Sequence, residues 1–89
     1  MGDSAQVLRA REALVQSIDR ACLARGEAQW TNGYLAARFG GRIGPGEESN
    51  RIYAKEQQQW KRCDSAEHAV RRALTRYRRA LLDQQARKP

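Results

Sequence analysis

The apolar residues of this chain recur at the spacing of a helix and nowhere at the spacing of a strand. Val70, Ala73, Leu74, Tyr77, Ala80 and Leu81 fall on one side of a helix, as do Val7, Leu14, Ile18, Ala21 and Cys22, with Leu8 and Val15 widening that stripe. No stretch alternates apolar and polar residues, so the expected fold class is all-α. A chain of 89 residues forms one small domain that buries only ~60–65% of its unfolded surface. The core is therefore thin, a deep catalytic pocket is not expected, and the chain reads as a non-enzyme.

Local signals divide the helical sequence into four. Asp3 or Ser4 can cap a first helix over about 5–25, and Gly26 is its stop signal. Thr31 or Asn32 can cap a short helix over 32–39, with Leu35 and Phe39 four apart and Gly40 closing it. Glu47 and Glu48 complement the positive end of a third helix over 47–63, whose stripe of Ile52, Tyr53, Trp60 and Cys63 is interrupted by Glu56. Asp64-Ser65-Ala66-Glu67 has capping-box spacing and opens a fourth helix over 65–86, with 87–89 frayed. The expectation is a single domain over 1–89, a compact bundle of about four helices with a glycine-rich loop at 40–46. Trp30, Tyr34, Phe39, Tyr53, Trp60 and Tyr77 are assigned to its core, and Cys22 and Cys63 are expected as buried free thiols.

The loop "GGRIGPGEES" carries the G-x-x-x-x-G spacing of a phosphate cradle at Gly41 and Gly46. Such a cradle needs Lys and then Ser or Thr after its last glycine. Glu47 and Glu48 stand there instead and would repel phosphate, so the stretch reads as a turn.

That turn follows "YLAARFGG", with Ala36 four before Gly40 and Leu35 and Phe39 turned inward. The stretch resembles the first helix and corner of helix-turn-helix DNA-binding proteins, although "GGRIGPG" supplies seven residues where that family uses three or four. The resemblance covers about twenty residues and implies that the third helix reads DNA. Arg51, Lys55, Gln58 and Arg62, at i, i+4, i+7 and i+11, would then face the major groove, with Arg42 of the loop beside them.

Charge points the same way. The chain has 14 Arg and 3 Lys against 10 acids, a formal +7. Residues 61–89 hold nine of those bases and three acids, 9 − 3 = +6. Arg72, Arg76 and Arg79 edge one side of the last apolar face, and Arg71 and Arg78 the other. Arginine is suited to bidentate phosphate contact, and such an excess suits a polyanion. The expected function is a small DNA-binding protein, a regulator of transcription or replication. The alternatives are an adaptor or inhibitor that binds an acidic protein surface, or an RNA-binding protein. Leu82, outside the apolar sector, also allows a homodimer through helix pairing.

The remaining chemistry is sparse. Cys22, Cys63 and His68 are too scattered for zinc, and no cofactor is expected. His68 falls on a polar side with no nucleophile at a pairing offset. The start "MGDSAQVL" lacks the pattern of a secretory signal, and Gln6 stands where myristoylation requires Ser or Thr. No apolar run reaches the ~20 residues that span a bilayer, so a cytoplasmic protein without membrane contact is expected.

Overall fold

The computed structural model describes residues 2–39 and 46–87. These form two helices, α1 (Ala5–Phe39) and α2 (Glu47–Arg87), of 35 and 41 residues. The chain divides into two compact units, each built from a segment of both helices. One combines Met1–Ala21 with Ala66–Pro89, and the other is Cys22–Ser65.

In the first unit, α1 begins where the sequence predicts. The Ser4 hydroxyl accepts the backbone N–H of Val7 at 3.2 Å, capping the helix. The Ser4 N–H itself donates to Gln84 Oε1 at 2.6 Å, and Gln84 Nε2 to Asp3 Oδ1 at 3.4 Å. The start of α1 thus lies beside the last turns of α2, and the pair is antiparallel. Arg11, an isolated charge in an apolar sector, reaches Asp3 at 3.5 Å.

The second unit is also antiparallel. Asn32 Nδ2 donates to Glu56 Oε1 at 2.8 Å, and further along α1 Arg38 reaches Glu48 at 3.5 Å, earlier in α2. Gly46, with φ of 100°, precedes α2, and its carbonyl accepts the N–H of Asn50 at 3.4 Å. This positive φ suits glycine because it lacks a Cβ.

One set of buried and half-buried positions alternates by three and four residues, the period of a coiled-coil seam, with Phe39, Trp60, Glu67, Ala69, Leu74 and Leu81 half-buried beside it. In the first unit the inward positions are Val7, Ala10, Leu14, Ser17 and Ala21 of α1 and Ala66, Val70, Ala73, Tyr77, Ala80 and Gln84 of α2. In the second they are Ala24, Ala28, Thr31 and Leu35 against Ser49, Ile52, Glu56, Gln59 and Cys63. Small side chains dominate, which lets the helices approach closely and leaves little apolar volume between them.

Four helices are therefore corrected to two. Gly26 does not stop α1, because a glycine inside a helix costs only ~1 kcal/mol relative to Ala, and Ala21, Ala24 and Ala28 carry the seam past it. The segment 32–39 is the end of α1. Thr31 is a buried mid-helix residue whose hydroxyl bonds the Glu27 carbonyl at 3.1 Å, so it is no cap. Asp64 also lies within a helix, whereas a capping box needs a non-helical first residue; the buried Cys63 and half-buried Ala66 hold the turns on either side to the seam. Of the expected loop and frayed end, residues 40–45 and 88–89 lie outside the described residues. Gly46 is described, and Arg87 is helical.

The core is also corrected. Trp30, Tyr34 and Tyr53 are exposed, as is Cys22, while Phe39, Trp60 and Tyr77 are half-buried and Cys63 is buried. A two-helix unit has only one seam, and these exposed side chains lie off it.

Candidate nucleic-acid interface

The seam sorts the other side chains. In the second unit, Asn32 and Trp60 each follow a seam residue by one position, and both donate to Glu56 Oε1, at 2.8 and 3.2 Å. Glu27, Lys55 and Arg62 each precede a seam residue by one, and all three line one groove. Asn32 and Trp60, just after the seam, thus share one side of the helix pair, and Glu27, Lys55 and Arg62, just before it, the other, although Cys22, which follows Ala21, also reaches the groove.

The same rule places the arginines of the first unit. Arg72, Arg76 and Arg79 directly precede the seam residues Ala73, Tyr77 and Ala80, whereas Leu74 and Leu81 directly follow Ala73 and Ala80. Arg71, Arg72, Arg76 and Arg79, with Thr75, line a shallow depression of about 370 Å³ on α2. No carboxylate lines it. The Thr75 hydroxyl is turned back onto the Arg71 carbonyl at 3.0 Å, leaving the guanidiniums as the polar groups that face solvent. Arg78 is exposed and directly follows the seam residue Tyr77, as Arg71 follows Val70.

In the second unit Arg51, Lys55, Gln58 and Arg62 are all exposed on α2. Lys55 and Arg62 flank the groove, which has a volume of about 600 Å³ and is lined also by Gln59, Trp30 and Glu27. Arg51 and Gln58 stand outside it. Arg42 lies outside the described residues. Among the described residues, the side chains of Arg51, Lys55, Gln58, Arg62, Arg71, Arg72, Arg76, Arg78 and Arg79 take part in no ion pair or hydrogen bond. Among the described residues, no carboxylate neutralises these cations.

The sequence reading overlooked the groove. Trp30 is 72% exposed and stacks on Tyr34 with ring centroids 5.8 Å apart and planes 11° from parallel. Gln59 forms part of the groove's wall; its buried Oε1 has no hydrogen-bond partner, and the Ser49 hydroxyl is the other such group among the described residues. Gly26, one turn before Trp30, leaves the space beside it open, and that spacing was the available signal. The carboxylate of Glu27 and the indole make this groove less suited to phosphate than the arginine depression.

Among the described residues, no three of His, Cys, Asp and Glu are grouped to hold a metal ion, and no helix is long and apolar enough to cross a membrane. The sequence matches no protein-family model, and comparison with curated proteins and with solved structures likewise finds no match. Within each unit the coordinates define an antiparallel pairing of an α1 segment with an α2 segment, the latter carrying exposed basic side chains.

Proposed function

We propose that the protein binds nucleic acid, duplex DNA foremost, through its phosphate backbone, as a non-enzymatic regulator of transcription or replication. The observation that carries this reading is the arginine depression of the first unit, where four guanidiniums converge with no carboxylate among them. Unpaired arginines grouped this way repel one another unless a polyanion covers them. From Arg72 to Arg79 is seven residues, ~10.5 Å of helix at 1.5 Å per residue. Duplex DNA presents about six charges over that length. Phosphate contacts position a protein without reading sequence, so the depression is assigned affinity rather than specificity. The exposed row Arg51, Lys55, Gln58 and Arg62 supplies base preference through guanidinium and amide donors.

Gel-shift titration of several duplexes tests the division. Replacing Arg72, Arg76 and Arg79 together by Ala should weaken every duplex alike, about tenfold or more at low salt. Replacing Arg51 and Lys55 by Ala should instead narrow the differences between duplexes. Absence of binding at low salt would remove the reading, and a partner captured equally well after nuclease treatment would point to an acidic protein surface.

A further inference from the structure

We propose that a second copy of this chain covers the apolar side of the first unit, so that two helix pairs share one core. Leu8, Val15 and Ile18 directly follow the α1 seam residues Val7, Leu14 and Ser17, and remain between 42% and 51% exposed. Leu74 and Leu81 directly follow the α2 seam residues Ala73 and Ala80 and are half-buried. By the rule established in the second unit, all five belong to one side of the pair. Its one cation on α1, Arg11, is held by Asp3 at 3.5 Å.

Area indicates how much must be covered. The chain exposes 6989 Å². Monomeric proteins of 10.1 kDa expose about 5,300 Å² by the scaling of surface with mass. A standard interface of ~1,600 Å² total takes ~800 Å² from each copy, about half of the surplus of roughly 1,700 Å² per chain. What the seams bury is small: the buried apolar residues are Val7, Ala73 and Ala80 in the first unit and Ala28, Leu35 and Cys63 in the second.

Charge selects the occupant. Glu12 and Asp19, four residues after Leu8 and Val15, edge the apolar stripe on α1. Arg71 and Arg78 edge it on α2, also seven residues apart. Among the described residues none of these four side chains has an ion-pair partner. A two-fold axis that lays α1 of one copy against α2 of the other sets an acidic edge on a basic edge twice, which is the self-complementarity that a symmetric interface requires. Leu82, 65% exposed, follows the seam residue Ala80 by two positions, as Glu12 follows Ala10 and Asp19 follows Ser17, and so borders this surface. Arg72, Arg76 and Arg79 precede the seam and stay uncovered, so in the dimer the depression keeps three of its four guanidiniums while Arg71, at its rim, meets the other copy.

Sedimentation equilibrium and thermal unfolding of the full chain at several concentrations test the proposal. The expected mass is twice 10.1 kDa, with a Tm that rises with concentration, as association coupled to folding requires. Leu8→Ala with Ile18→Ala preserves helix propensity and the seam, and should weaken association about 10- to 100-fold, whereas Leu23→Ala, at a leucine that directly precedes the seam residue Ala24 and is 68% exposed, should leave it unchanged. Glu12→Arg with Asp19→Arg should also weaken association, and adding Arg71→Glu with Arg78→Glu should restore it. A monomer with a concentration-independent Tm would overturn the proposal, as would a dimer that Leu23→Ala breaks and Leu8→Ala with Ile18→Ala leaves intact.

Discussion

At the scale of single residues, backbone and side-chain polar groups settle where the helices begin and continue. Gly26 is exposed in mid-helix, and a Cβ built there meets nothing within 4 Å. Gly26→Ala should therefore raise stability by up to ~1 kcal/mol, read from urea unfolding, because Ala loses less backbone entropy and has the space it needs. A loss of stability would mean that α1 breaks there. Glu56 shows the opposite economy. Its side chain is 5% exposed, and Oε1 accepts hydrogen bonds from Asn32 and Trp60. A buried carboxylate is tolerable only with such partners, and an acid that interrupts an apolar stripe in sequence becomes a joint between helices in space.

At the scale of the helix, the class was legible and the segmentation was not. Helical spacing and the Ser4 cap were both readable. The seams were hidden because hydropathy marks large apolar side chains, whereas Ala10, Ser17, Ala21, Ala24, Ala28 and Thr31 keep strict three-four spacing with small or polar ones. The same blindness placed Trp30 and Tyr34 in a core that has no room for them. The basic rows themselves were legible, since charge is visible in sequence. Their grouping around one depression was not, because it depends on where the seam falls. Ala28 is fully buried on that seam, so Ala28→Leu should force the helices of the second unit apart and cost about 1–3 kcal/mol in the same unfolding assay. A neutral effect would show that the helices do not approach closely at Ala28.

At the scale of the molecule, charge and apolar surface are divided by a one-residue offset. In the first unit Arg72, Arg76 and Arg79 precede the seam, whereas Leu8, Val15, Ile18, Leu74 and Leu81 follow it, edged by Arg71 and Arg78; one side of the pair thus suits a polyanion and the other a second copy. The formal charge of +7 is thus structural information only once the seam is known. The proposed function then predicts how affinity responds to ions. Each neutralised phosphate contributes a slope of about −0.9 to log affinity against log salt, so three arginines on three phosphates account for roughly −2.7.

The most direct measurement is the salt dependence of duplex DNA binding by the protein and by its Arg72→Ala, Arg76→Ala, Arg79→Ala variant. The predicted result is a linear fall in log affinity for both, with the variant's slope shallower by between ~2 and ~3. Equal slopes, or an affinity indifferent to salt, would contradict the claim that these guanidiniums hold phosphate.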